Sequence, residues 1–179
     1  MMDDRVGNSK EFAPEIQDLL DKQQIRDLMS RYARAVDRNE WGAVKSCFTD
    51  DATDHHGVVV GSIDDLVEVA SARLDKTWAG MHCLCQHYVE IDGDNARGET
   101  YALTSRRRFS ASGDGEEDTF SGLRYLDRYR RVSGEWKIAE RVTALEWCTT
   151  IPARNWLPVE KFITGKKDKS DISYTFGFR

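Results

Sequence analysis

One acidic residue and one histidine have the side chains that proton-transfer chemistry needs. Asp37 follows the run Arg31-Tyr32-Ala33-Arg34-Ala35-Val36, which continues a helical spacing of apolar residues that begins at Ile25. The carboxylate would therefore lie at the C-terminal end of a helix, where the helix dipole disfavours negative charge. A carboxylate there needs a cationic or hydrogen-bonding partner, and we predict that His82, on a strand downstream, is that partner. An aspartate that orients a histidine is a recurrent way to make a general base near neutral pH.

These residues also have structural explanations. Asp37 could pair with the neighbouring Arg34 or Arg38, and a single histidine is most often a hydrogen-bonded core residue. Tyr32 lies on the apolar face of the helix, where an aromatic ring usually belongs to the core, although its phenol can also donate a hydrogen bond to a substrate oxygen. We interpret Asp37 and His82 as an acid–base pair, and both roles stay open for Tyr32.

The other histidines suggest a metal site at first sight. His55 and His56 are adjacent, so on an extended segment they point to opposite faces, and the same holds for His82 and His87 if their strand has no bulge. We therefore expect no metal. One residue of the pair His55-His56 is expected to line a pocket instead.

Length, charge and hydropathy limit the class of protein. A chain of 179 residues is long enough for one domain with a sizeable core. The net charge of -5 argues against nucleic acid or an anionic membrane surface as the main partner. No apolar run approaches the roughly 18 residues of a membrane span, and the acidic first residues do not resemble a secretory signal. We therefore expect a cytoplasmic protein without a membrane partner.

The apolar periodicity predicts helices first and strands afterwards. Helices are predicted over about 15–37 and 39–47, and a third opens at Ser62, where Asp65 completes a capping box. Residues 48–51 are predicted to be a loop. From about residue 81, alternation predicts four antiparallel strands joined by turns such as Ser133-Gly134. This is an α+β fold in which a curved antiparallel sheet wraps around the N-terminal helices and leaves a pocket at its open end.

Several short segments follow one another in an order and at a spacing that can be compared with known families. They are the helix that ends in Asp37-Arg38, then Cys47-Phe48-Thr49-Asp50-Asp51-Ala52, Met81-His82, Ile91-Asp92-Gly93-Asp94 and Gly134-Glu135-Trp136-Lys137-Ile138. Over roughly residues 16–150 their spacing resembles the SnoaL-like family of the cone-shaped nuclear transport factor superfamily. Within it, the chain looks most like the branch of scytalone dehydratase, bile-acid dehydratase and hexachlorocyclohexane dehydrochlorinase, which are cofactor-free lyases.

The resemblance implies catalytic roles for four residues. The family aspartate and histidine map onto Asp37 and His82, and the tyrosine five residues before that aspartate maps onto Tyr32. The arginine of the dehydrochlorinase, five residues after the tryptophan of the last strand, maps onto Arg141. A strand arginine is otherwise most often an ion-pair residue, with Glu140 and Glu99 as available partners. The second histidine of scytalone dehydratase has no clear counterpart.

The resemblance and the residues together predict a cofactor-independent lyase, a dehydratase or related eliminase, for a small hydrophobic ring-bearing substrate. His82, oriented by Asp37, would abstract a C–H proton, while Tyr32 and Arg141 would stabilise an oxyanion or the departing group. Four further residues are predicted to bind the substrate, namely His56, Trp41, Tyr101 and Trp147. Two alternatives remain: a non-catalytic ligand-binding or assembly subunit of the same fold, and a ketone–enol isomerase that uses the same base.

We divide the chain into a flexible arm (1–14), a SnoaL-like cone domain (15–150) and a C-terminal tail (151–179). The tail is predicted to be either a pocket lid or a subunit contact, because it carries the apolar residues Trp156, Leu157, Val159, Phe162 and Ile163, whereas its charge run 166–169 is expected to be solvated. The strands carry more apolar positions than one interior uses, namely Val89, Ile91, Leu103, Phe109, Leu123 and Tyr125. We therefore expect a homo-oligomer. The resemblance makes a trimer the first choice and a dimer the second.

Overall fold

The chain folds as three α-helices and a six-stranded sheet, with the third helix between the second and third strands. The computed structural model describes residues 13–74 (of Leu74 the backbone only), 76–113, 115–154 and 158–177. The helices are α1 (Pro14–Asp37), α2 (Trp41–Ser46) and α3 (Ile63–Leu74). The strands are β1 (Phe48–His55), β2 (Val60–Ser62), β3 (Thr77–Asp92), β4 (Asn95–Phe109), β5 (Glu116–Val132) and β6 (Glu135–Pro152). Two short 3-10 helices follow in the tail, Val159–Lys161 and Ile172–Phe176.

The strands form one curved sheet in the order β2-β1-β6-β5-β4-β3. Strands β3 to β6 are the predicted antiparallel meander, and the α+β fold class is confirmed. The predicted loop at 48–51 is wrong, because these residues begin β1, which runs parallel to β6 and pairs Phe48 with Ile138. Six of its eight residues are Thr, Asp or His, so its sequence hides the strand.

Helix α1 fills the inside of the curved sheet with the predicted apolar face. Its buried residues include Ile25, Leu28, Met29, Tyr32 and Val36. The narrow end of the cone is closed by Asp21, which accepts hydrogen bonds from Trp136 Nε1 (3.1 Å) and pairs with Arg131 (2.8 Å). Burial acts to raise the pKa of Asp21, but these donors outweigh it and lower the pKa. None of the described helices is long and apolar enough to cross a membrane.

The predicted capping box at the start of α3 is confirmed. The Ser62 N–H donates to Asp65 Oδ2 (2.8 Å) and the Asp65 N–H donates to Ser62 Oγ (3.2 Å). These two bonds satisfy donors that the first helical turn would leave unpaired. Helix α3 is thereby fixed beside the open end of the cone, where its apolar face is available to a cavity.

A bulge in β3 changes which side chains face the interior. Leu84 pairs with Ala102 and His87 with Thr100, so two residues of β3, at positions 85 and 86, lie opposite the single residue Tyr101 of β4. His82 and His87 consequently both face inward, and the expectation of opposite faces fails because it assumed an unbulged strand. The His87 ring is hydrogen-bonded to Thr100 Oγ1 at 2.8 Å, and burial lowers the pKa of His87.

The end of the tail docks onto the end of α1. The buried Asp171 accepts the backbone N–H of Lys166 (2.7 Å) and lies 3.4 Å from Arg38 Nε. Lys169 pairs with Glu40 while its side chain stays 76% exposed, in agreement with the expected solvation of the charge run 166–169. The described apolar tail residues are exposed, Phe162 by 60% and Ile163 by 78%. Trp156, Leu157 and residues 1–12 lie outside the described part of the chain.

Candidate active site

Asp37 and His82 are hydrogen-bonded through two separate atoms of the histidine. His82 Nδ1 lies 2.6 Å from Asp37 Oδ1, and the backbone N–H of His82 donates to Asp37 Oδ2 at 3.0 Å. The carboxylate projects from the last residue of α1 and reaches β3 across the open end of the core. The two side chains are only about a tenth exposed, His82 by 10% and Asp37 by 12%.

This arrangement fixes the tautomer of His82. An ionised carboxylate can only accept hydrogen bonds, so Nδ1 of the neutral imidazole must carry the proton. Nε2 is then unprotonated and has a lone pair for an incoming proton. The second bond, from the peptide N–H, prevents the carboxylate from rotating away, so that the imidazole is held in one orientation. The arrangement can therefore act as a general base.

Tyr32 lies one and a half helical turns before Asp37 on the same helix and borders the cavity. Its ring meets Phe48 and Tyr125 edge to face, with centroids 5.8 and 6.0 Å apart. Burial raises the pKa of Tyr32 even though the Arg141 guanidinium beside it favours the phenolate. The phenol therefore keeps its proton at neutral pH and can donate a hydrogen bond to an oxygen in the cavity.

Arg141 points inward but does not border the cavity. It is fully buried, and its Nε and Nη2 bind the two oxygens of Asp127 at 2.7 and 2.8 Å. The alternative partners Glu140 and Glu99 are therefore wrong. Tyr32 and Tyr125 both pack against the guanidinium, with ring centroids 4.3 and 4.2 Å from its carbon and 6.0 Å from each other. Arg141 thus lies beneath the floor of the cavity and reaches it only through Tyr32.

A second histidine–carboxylate pair borders the same cavity, and the sequence reasoning missed its carboxylate. His56 Nδ1 lies 3.3 Å from Oδ1 of Asp54, whose side chain is completely buried. Neither Asp54 oxygen has a hydrogen-bond donor among the described residues, whereas His56 Nδ1 also lies 3.0 Å from Thr143 Oγ1. The two side chains form an ion pair at this distance when the imidazole carries both protons. The sequence signal was the two-residue spacing, which puts both side chains on one face of a strand.

The cavity lies between α1, α2, α3 and the open end of the sheet, with a volume of about 620 Å³ including its mouth. Four of the predicted site residues border this cavity, namely His82, His56, Tyr32 and Trp41. Most of the remaining lining comes from residues that were not predicted, namely Val36, Val44, Val58, Val59, Leu66, Val67, Val69, Ala70, Arg73 and Arg106. No group of three or more His, Cys, Asp and Glu that could hold a metal occurs in the described residues.

A family model for the SnoaL-like domain matches residues 17–142, which include Asp37, His56 and His82. The chain belongs to the SnoaL-like family. Uncharacterized proteins of Mycobacterium bovis and Mycobacterium tuberculosis are each 26% identical to it over 130 residues, covering 71% of this chain and 86% of the relative. The resemblance seen in the sequence is thereby confirmed.

Solved structures share the cone fold of this SnoaL-like chain. A hexachlorocyclohexane dehydrochlorinase of Novosphingobium barchaimii superposes with a TM-score of 0.67 at 19% identity, over 80% of this chain and 99% of that one. A provisionally named scytalone dehydratase of Novosphingobium aromaticivorans gives 0.67 at 15%, over 83% and 99%. A protein of unknown function from Mycobacterium tuberculosis gives 0.64 at 24%, over 75% and 76%.

Two predicted pocket residues of this SnoaL-like protein lie on the wrong face of the sheet. Tyr101 alternates with the buried Thr100 and Ala102, so it points outward and is 45% exposed. Trp147 covers Gly122 on that outer face and is 50% exposed. Both belong to an outer-sheet patch of apolar side chains made of Met81, Tyr101, Leu103, Phe120 and Trp147. A lone aromatic residue in a strand does not reveal its face, because a bulge elsewhere shifts the alternation.

Proposed function

We propose that this protein is a cofactor-independent lyase that eliminates a small leaving group, in the first place water, from a hydrophobic ring-bearing substrate. The observation that carries the proposal is the imidazole of His82, held at Nδ1 and at its own peptide N–H by Asp37, at the edge of a largely apolar cavity. A ligand-binding module has no need for an oriented base of this kind.

In the proposed reaction His82 Nε2 removes a proton from a carbon next to an activating group such as a carbonyl. The electron pair of the broken C–H bond forms a carbon–carbon double bond while the bond to the leaving oxygen breaks. Asp37 stabilises the imidazolium that forms. Water exclusion by the apolar lining strengthens this charge interaction, because the effective dielectric constant is lower there.

His56 and Tyr32 are the candidate acids. An imidazolium at His56, stabilised by the buried carboxylate of Asp54, can deliver its Nε2 proton to the leaving oxygen, so that hydroxide departs as water. Tyr32, a protonated phenol on the cavity floor, can donate to the oxygen of the activating carbonyl as negative charge develops on it. Proton exchange with solvent then returns both histidines to their starting states. His56 thus supplies the acid for which the sequence offered no counterpart.

The fold comparisons are compatible with this chemistry. Hexachlorocyclohexane dehydrochlorinase is named for an elimination, and scytalone dehydratase for loss of water. At identities below 25% these likenesses concern the fold, so that the reaction assigned to this chain depends on the geometry of its own residues. The matched relatives with 26% identity are uncharacterized and add no reaction.

The proposal is tested with a panel of hydroxylated ring ketones, aromatic and steroid-like, incubated with the purified protein in D₂O. Mass spectrometry then follows both deuterium uptake and loss of water. We expect loss of water with the unmodified protein, and neither loss of water nor deuterium uptake with His82→Ala. The exposed neighbour of the second pair, His55, provides a control, because His55→Ala leaves both histidine–carboxylate pairs intact.

The outcomes separate the alternatives. Deuterium uptake with conversion to an isomer but without loss of water would replace the lyase by a ketone–enol isomerase. Binding of panel members without either reaction would identify a ligand-binding protein and overturn the proposal. Loss of water that persists in His82→Ala would remove the base from the mechanism.

A further inference from the structure

We propose that the substrate carries a carboxylate and that Arg106 binds it, with Arg73 at the mouth of the cavity as a second cation. The inference rests on the proposed function only in taking this cavity as the substrate site. It names a substrate class, a hydrophobic ring compound with one carboxylate group, that neither the family model nor the named relatives specify.

Arg106 has the position on β4 that a recognition residue for His82 would need. Thr104 is the direct cross-strand partner of His82, and Arg106 follows two residues later on the same inner face. Such diagonal neighbours are about 7–8 Å apart. Arg106 also lies toward the open end of the sheet, because the buried end is formed by Ala96. A carboxylate at Arg106 therefore points toward the mouth while the reacting carbon lies deeper, about one ring away.

A glycine opposite Arg106 leaves its side chain uncovered. Gly80 pairs with Arg106 across the two strands. A Cβ at this position would lie 3.1 Å from the carbonyl oxygen of Ser105 and 3.8 Å from Arg106 Cγ, closer to the backbone than most Cβ atoms come. With no side chain at residue 80, Arg106 is not covered from this strand, and it borders the cavity.

The neighbouring arginines are already paired, and Arg106 is not. Arg107 binds Asp118 at 2.6 Å and Arg108 binds Glu117 at 2.7 Å, in both cases from β4 across to β5. No hydrogen bond or ion pair joins Arg106 or Arg73 to another residue in the part of the chain that the structure describes. A half-buried guanidinium without a counter-ion has lost part of its hydration, and charge-assisted hydrogen bonds to an anionic ligand would compensate for that loss.

The rest of the lining supports an anionic ligand. Although the chain has a net charge of -5, no aspartate or glutamate is among the described residues that border the cavity. Asp37 is hydrogen-bonded to His82, and Asp54 lies 3.3 Å from His56 Nδ1. The local cations therefore face an apolar, weakly screened space, where they attract an anion more strongly than at the surface. Arginine binds a carboxylate through two parallel N–H bonds, which fixes orientation as well as charge.

The test uses matched pairs of ligands that differ only in charge: benzoate and benzamide, 2-naphthoate and 2-naphthamide, and cholate and its amide. Their dissociation constants are measured by calorimetry on the full chain. We expect at least one carboxylate to bind about tenfold or more tightly than its amide. In Arg106→Gln this preference disappears while amide binding stays the same. The matched control is Arg108→Gln, which removes an arginine that Glu117 already neutralises and should keep the preference.

Two results would overturn the proposal: no carboxylate of the series binds more tightly than its amide, or the preference survives in Arg106→Gln. A further arm compares 2-naphthyl phosphate with 2-naphthoate, and tighter binding of the phosphate would overturn the assignment to a carboxylate. His82→Ala should retain the preference, because binding does not need the base. The carboxylate site and the proposed elimination can therefore fail independently.

Discussion

The guanidinium carbon of Arg141 lies 4.3 Å from the centroid of the Tyr32 ring, and Tyr32 alone of the two residues borders the cavity. The full charge of the arginine is thus one aromatic ring away from the substrate site, and the phenol is what a ligand would meet. The sequence resemblance gave Tyr32 and Arg141 one shared role, the stabilisation of an oxyanion or leaving group, whereas the structure gives the two residues different positions and different roles. Arg141 stabilises the core beneath the cavity through its ion pair with Asp127, and Tyr32 places a phenol hydrogen-bond donor at the cavity.

Replacing Arg141 should therefore affect stability first. Arg141→Met leaves Asp127 as a buried carboxylate without its cation, and we expect a loss of about 3–5 kcal/mol in the free energy of unfolding, measured with urea. The double variant Arg141→Met/Asp127→Leu should recover most of this loss, since no uncompensated charge remains. Arg128→Met, which removes an exposed partner of Glu140, serves as the control and should cost less than about 1 kcal/mol. An Arg141→Met protein of unchanged stability would contradict the structural role.

Replacing Tyr32 should affect turnover first. Tyr32→Phe keeps the edge-to-face contacts with Phe48 and Tyr125 but removes the hydroxyl, so we expect turnover of the substrate found in the ketone panel to fall by about 10²-fold. The midpoint of thermal unfolding should change little. Equal turnover in the variant would show that the phenol is only a core residue.

Asp37 and His82 should behave as one unit. Asp37→Asn replaces an acceptor-only carboxylate by an amide that can donate to Nδ1, which favours the wrong tautomer, and His82→Ala removes the base. Each change should lower turnover by about 10²-fold or more without unfolding the protein. Turnover of the double variant should be close to that of the worse single variant. Multiplicative losses would show that the two side chains act separately.

The sequence predicted the parts of the site that local patterns determine. The apolar spacing of α1 placed Asp37 at a helix end, and the capping box placed the start of α3. It could not predict the outward direction of Tyr101, because β4 carries the small residues Thr100, Ala102 and Thr104 on its inner face. The direction of Trp147 depends on a bulge in β6 that only the paired strands reveal. The sequence reasoning also missed Arg106, because the three consecutive arginines 106–108 cannot be distinguished by sequence. Only the structure shows that Asp118 pairs with Arg107 and Glu117 with Arg108.

The tail should detach when Asp171 is removed or protonated. Hydrogen bonds from Ser173 and the Lys166 N–H, together with Arg38, hold the pKa of Asp171 below its usual range. A lowered pKa in the docked state means that the carboxylate stabilises docking above the pKa of the free tail, and that this contribution is lost as the pH falls further. Limited proteolysis should cut the tail of Asp171→Ala at neutral pH, and that of the unmodified protein only in acid. Equal resistance of the two at neutral pH would refute the anchoring role.

We expect the outer-sheet patch to be covered by another copy of the chain. Its apolar side chains are contiguous on one face, as in proteins that associate, and a trimer is our first choice and a dimer the second. Light scattering at micromolar concentration should give a multiple of 20.5 kDa, and Leu103→Glu should lower it. A mass near 20.5 kDa for the unmodified protein would contradict this.

Truncation after Ala153 distinguishes the two roles proposed for the tail. Loss of turnover in an intact oligomer would indicate a lid, whereas dissociation into monomers would indicate a subunit contact. The described residues favour the second outcome, because Phe162 and Ile163 are exposed and do not border the cavity.

The bulge in β3 makes the site tolerant of one kind of change in chain length. Since the strand absorbs one surplus residue between Leu84 and His87, a deletion of Gln86 would straighten β3 and leave both histidines on the inner face. A deletion of Cys83 would leave the same spacing between the two histidines, but it would turn Leu84, which packs against the core, toward the outer face. Among related sequences, a one-residue gap at Cys85-Gln86 should therefore affect neither the base nor the core, whereas a gap at Cys83 should keep the base and weaken the core packing.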